Sequence, residues 1–72
     1  MIILKDKSKT RVDVKSITSY SSDYDLNGNS KVDTIILTIG SAVRKLFYFD
    51  ESTRNSDFNK LDELLDVDNN LR

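Results

Sequence analysis

An α+β fold, with an antiparallel sheet of four to five strands arranged as hairpins and one C-terminal amphipathic helix packed on one face, is what this chain of 72 residues predicts. Three observations point there. Up to residue 49, β-branched and aromatic residues alternate with polar ones in the two-residue period of a strand. The two glycines, Gly28 and Gly40, fall between apolar runs, where hairpin turns belong. The last third changes to the longer period of a helix.

The N-terminal "IILK" and "TRVDV" bracket the polar "DKSK" and read as a short hairpin. A break is expected near Ser16, because one strand running from Thr10 to Tyr24 would be unusually long. "SITSYSSDY" then continues extended into "DLNGNS", where Asn27-Gly28 tolerates the positive φ of a primed turn. "KVDTIILTI" and "AVRKLFYF" form the next hairpin around Gly40-Ser41, and glycine in the first central place suits a type II′ turn. The strand-rich part ends at Asp50. Phe58, Leu61 and Leu65 follow at helical spacing with Leu64 beside them, while Asp57, Lys60, Asp62, Glu63 and Asp66 fill the remaining positions. Ser56 or Ser52 is the expected cap, and Asp57 in the first turn suits the helix dipole. The domain is expected to span residues 1–66, with a frayed tail over 67–72.

Composition narrows the chemistry. With no cysteine and no histidine, disulfides and the usual structural zinc ligands are excluded. Charged residues at 32% and hydrophobic ones at 38% fit a folded soluble domain better than a disordered or membrane-spanning chain. "MIIL" is followed at once by "KDKSK", too short an apolar run for a signal peptide, so a cytoplasmic location is expected. The net charge of −1 conceals a gradient. Through Lys15 five basic residues face two acidic ones, and from Asn55 onward two basic residues face five acidic ones.

"DYDLNGNSKVD" alternates oxygen-bearing side chains around a glycine, as calcium loops do. Counted from Asp23, Asp25 and Asn27 take the third and fifth places and Gly28 the sixth, but the closing position is Thr34, which cannot chelate with two oxygens. Counted from Asp25, the stretch resembles the opening of a dockerin-type loop, with Ser30 in place of the turn glycine and Ile36 at the closing position. Neither count completes a cage, and the following "VDTIILTI" favours a strand over the helix such loops feed. A hairpin turn is expected. If calcium binds, Asp23, Asp25, Asn27 and Asn29 are the ligands. No cofactor is expected.

Catalysis is hard to assemble from this inventory. No histidine is present to activate a serine, no Gly-rich phosphate loop occurs, and no pair stands out among ten Asp and two Glu. Asp62, Glu63 and Asp66 read as the solvated side of the helix. A non-enzymatic role follows.

The sheet faces suggest what that role is. A two-residue Gly-Ser turn puts Ile35, Leu37, Ile39, Leu46 and Tyr48 on one side and Val32, Ile36, Val43, Phe47 and Phe49 on the other. A one-residue slip regroups them, yet both sides stay apolar, and one helix covers one side. An uncovered apolar face marks a contact surface, and a domain this small gains stability from burying it. A homodimer joined through that face is expected, or contact with an unidentified protein partner, with Ile36, Leu46 and Tyr48 as anchors. Small size without catalytic groups is compatible with an accessory protein of a phage or mobile element.

The alternative partner is nucleic acid. Lys5, Lys7, Lys9 and Arg11 could line the N-terminal hairpin and contact phosphates, and Tyr20, Tyr24, Tyr48, Phe47 and Phe49 offer stacking surfaces. The order "DVKSITSYS", hairpin, helix resembles in outline the LytTR-type DNA-binding domains, and this likeness of strand order implies no particular site residue. A membrane partner is not expected.

Overall fold

The structure, a computed structural model, describes residues 1–70, with side chains through Leu65. It is α+β. A two-stranded sheet of β1 (Ile2–Ile3) and β2 (Arg11–Val12) precedes a three-stranded antiparallel sheet of β3 (Ile17–Asn27), β4 (Ser30–Ile39) and β5 (Ala42–Phe47), ordered β3-β4-β5, and helix α1 (Glu51–Asn70) ends the described chain. Of the expected tail, the backbone is helical through Asn70, and residues 71–72 lie outside the described part.

Alternation sets the N-terminal hairpin. Leu4, Asp6, Thr10 and Val12 are buried, while Lys5, Lys7, Lys9 and Arg11 are exposed. Asp6 closes the loop: its carboxylate accepts from the Thr10 amide and hydroxyl, both at 2.7 Å, and its carbonyl accepts from the Lys9 amide at 3.1 Å. The tight return forces Lys9 to φ 51°, the left-handed region. The expected break is a single 3-10 turn, Val14–Ser16, capped by Asp13, whose carboxylate accepts from the Lys15 amide at 3.2 Å.

Both long hairpins turn on two residues with glycine first. Asn27 pairs with Ser30 around Gly28-Asn29, and Ile39 pairs with Ala42 around Gly40-Ser41. Gly28 has φ 64° and Gly40 φ 62°, a backbone that other residues adopt at a cost. Gly40-Ser41 is the turn expected. The other turn is displaced by one residue from Asn27-Gly28, because Gly28 alone carries the positive φ there.

The register, Ile35 opposite Leu46 and Tyr20 opposite Leu37, groups Tyr20, Ile35, Leu37 and Leu46 on one face. The Tyr48 amide continues that ladder, donating to the Asp33 carbonyl at 2.9 Å. The core is built here: Leu4, Val12, Ile35, Leu37, Leu46, Tyr48 and Leu61 form one buried cluster. α1 reaches it through Leu61, through Phe58 with its ring 5.3 Å from that of Tyr20, and through Asp62, whose carboxylate accepts from the Tyr20 hydroxyl at 2.5 Å. The helix begins earlier than expected, since Asp50, rather than Ser52 or Ser56, caps it by accepting from the Thr53 amide at 2.7 Å. That bond, and a second from the Thr53 hydroxyl, hold the Asp50 carboxyl below its ordinary pKa.

Candidate interaction surface

The opposite face of the three-stranded sheet carries Val32, Thr34, Ile36 and Thr38 from β4, Val43, Lys45 and Phe47 from β5, and Ser19, Ser21, Asp23 and Asp25 from β3. Val32 and Ile36 on the middle strand are half-buried, and the exposed apolar side chains lie on β5. Val43 is 66% exposed, Phe47 42% and the neighbouring Phe49 76%, while Tyr24 and Leu26 are the exposed large side chains of the helix-side face. Thr34 is the exception, fully buried although it lies on this face. Lys45 sits opposite Ile36 and Asp25 opposite Val32, so the ion pair between them, at 2.9 Å, runs diagonally across β4 over Thr34. The Thr34 hydroxyl has no hydrogen-bond partner among the described residues.

Of the three anchors expected from sequence, only Ile36 lies on this face, where it is half-buried. Leu46 and Tyr48 belong to the core side and are 2% and 1% exposed, so neither can meet a partner. Tyr48 is there for a polar reason as well as an apolar one. Its hydroxyl donates at 2.8 Å to Asp57, a fully buried carboxylate of α1 that also accepts from the Lys5 amide at 2.6 Å. Burial and then the neighbouring Asp57 and Asp6 carboxylates push the Tyr48 phenol well above its ordinary pKa. The exposed apolar side chains of this face that were not among the expected anchors are Val43 and Phe47. Alternation in β3 carried the signal, since Ser19, Ser21, Asp23 and Asp25 share one side and Tyr20 and Tyr24 the other, which names the aromatic side as the core.

The four cations of the nucleic-acid alternative are all exposed on the N-terminal hairpin. That hairpin lies against the outer edge of β5, where the Lys7 amide donates to the Phe47 carbonyl at 2.7 Å, and the Lys7 ammonium stands 5.0 Å over the Phe49 ring. Of the expected stacking residues, Phe47 and Phe49 are exposed beside this cation, Tyr24 is half exposed on β3 under Lys31, and Tyr48 is buried.

The calcium candidates do not converge. Asp23, Asp25 and Asn27 are successive outward positions of an extended strand, so their Cα atoms stand about 6.5 Å apart instead of wrapping a centre. Asp25 is occupied by Lys45, Asp23 accepts from the Tyr24 amide at 2.8 Å, and Asn29 is in the turn. Among the described residues no group of three acidic side chains is placed to hold a metal ion. Near the same hairpin, buried Asp33 lies 3.9 Å from Arg54 and 3.8 Å from Lys31, with one carboxylate oxygen accepting no hydrogen bond. Arg54 spends its donors on the Asp23 carbonyl at 3.0 Å and on Asn55 at 2.8 Å, which ties the first turn of α1 to β3.

No protein-family model matches this chain, and no curated protein or solved structure is significantly similar to it. Among the described residues no helix is long and apolar enough to cross a membrane.

Proposed function

We propose that this protein is a non-catalytic interaction module of the cytoplasm that joins a second copy of itself through the face carrying Ile36, Val43 and Phe47. The observation that carries this reading is the uneven treatment of two apolar faces. One sheet face shares its core with Leu61 of α1, whereas the other leaves Val43 and Phe47 exposed around Ile36. Large apolar and aromatic groups clustered at the centre of a surface supply most of the free energy of a protein contact. A chain this short also has little core of its own, so the same burial would stabilise the fold. Sedimentation analysis tests it: a dimer is expected, dissociated by Phe47→Asp or Val43→Asp with helix and strand content unchanged. A wild-type monomer at the highest accessible concentration refutes it.

A second reading, a small nucleic-acid-binding regulator, draws on the placement of Lys7 beside exposed Phe47 and Phe49 with Lys5, Lys9 and Arg11 on the same hairpin. It predicts retardation of single-stranded nucleic acid that weakens with salt and with Lys7→Glu or Lys9→Glu. No retardation at low salt removes it.

A further inference from the structure

We infer that the two copies pack face to face about a two-fold axis running parallel to the strands above β4, so that Asp23 of each chain meets Lys7 of the other. This rests on the self-association reading and adds the geometry of the contact. Charge runs across the sheet from one side to the other. β3 forms the acidic side: no lysine or arginine occurs between Ser16 and Ser30, and Asp23 and Asp25 point out of the uncovered face. Beyond β5 lies the basic hairpin with Lys5, Lys7, Lys9 and Arg11. Between them lie Val32 and Ile36 of β4 and Val43 and Phe47 of β5, with Lys45 among them already paired to Asp25.

Two sheets stacked face to face by a two-fold axis have two simple arrangements. An axis perpendicular to the strands places β3 over β3 and the basic hairpins side by side, bringing like charges together. An axis parallel to the strands places the β3 of each copy over the β5 of the other, and acidic meets basic. The levels agree as well. Asp23 is opposite Thr34, Thr34 is opposite Phe47, and the Lys7 amide donates to the Phe47 carbonyl, so the two charges stand on one rung of the sheet. A rotation about the strand direction keeps each residue on its own rung. It therefore carries Asp23 over Phe47 of the other copy, beside Lys7, across the spacing of about 10 Å between packed sheets. Both charges are available, since Asp23 and Lys7 have no ion pair among the described residues. Asp25 on the same strand already draws Lys45 from two strands away, evidence that this side attracts cations.

Charge exchange within one chain tests the geometry. Lys7→Glu and Asp23→Lys are each expected to weaken the dimer by about tenfold, and the double variant to recover it, because the pair is then reversed but complementary. With the perpendicular axis like charges face like in every variant, so the absence of recovery overturns the inference. The lack of native cysteine permits a second readout. Ser19 and Val43 flank Thr38 on one rung, so a short bismaleimide is expected to join a Ser19→Cys chain to a Val43→Cys chain. Ser21→Cys linked to itself would show the perpendicular axis, leaving self-association intact but this geometry wrong. A wild-type monomer would remove both.

Discussion

The Tyr48 hydroxyl and the Lys5 amide donate to the same oxygen of Asp57, at 2.8 and 2.6 Å, and so fasten the segment just after β5, the N-terminal hairpin and α1 at one buried point. Tyr48→Phe removes one donor and leaves that carboxylate under-satisfied, so a loss of about 1–3 kcal/mol in unfolding free energy is expected by denaturant titration. Asp57→Ala is expected to cost more, because it orphans both donors.

The same phenol gives a pH dependence. Its folded pKa is raised above the unfolded value of about 10, so its contribution is fully present below that pH and declines as pH rises above it. Wild-type stability is therefore expected to fall above about pH 10 more steeply than that of Tyr48→Phe. Parallel curves would contradict this.

Asp50 works in the opposite direction. Its carboxyl is held low by the Thr53 amide, so its capping contribution is present above the ordinary carboxylate pKa and is lost as pH falls through the folded value. Asp50→Ala at neutral pH is expected to reproduce the acid effect, seen as faster hydrogen exchange at the Thr53 amide.

Thr34 offers a stabilising change. Its buried hydroxyl lacks a partner, so the nearly isosteric Thr34→Val is expected to raise stability by about 1 kcal/mol, read from the denaturant midpoint. An unchanged or lowered midpoint would show that the hydroxyl is satisfied in solution.

Most of the fold was legible because strand and helix periods are local. Gly40-Ser41 fixed the parity of β4 against β5, and "KVDTIILTI" and "AVRKLFYF" became the expected hairpin. What local pattern could not settle was which of two apolar faces lies under the helix. Leu46 and Tyr48 looked like contact anchors because they are large and apolar, and the partner that draws Tyr48 inward, Asp57, comes from a separate element. The helix start was misplaced for a related reason: Ser52, Ser56 and Asp50 are all competent caps, and the chain's exit from β5 selects Asp50. In "DYDLNGNSKVD" the oxygen pattern is real, but extended backbone holds the side chains apart.

The central claim is that the face around Ile36, Val43 and Phe47 is closed by a second copy. Sedimentation equilibrium of the wild type beside Phe47→Asp and Leu46→Asp addresses it most directly. A wild-type mass of twice 8.3 kDa is expected, with Phe47→Asp a folded monomer and Leu46→Asp unfolded. A wild type that stays at 8.3 kDa at every concentration, or a Phe47→Asp variant that remains a dimer, would contradict it.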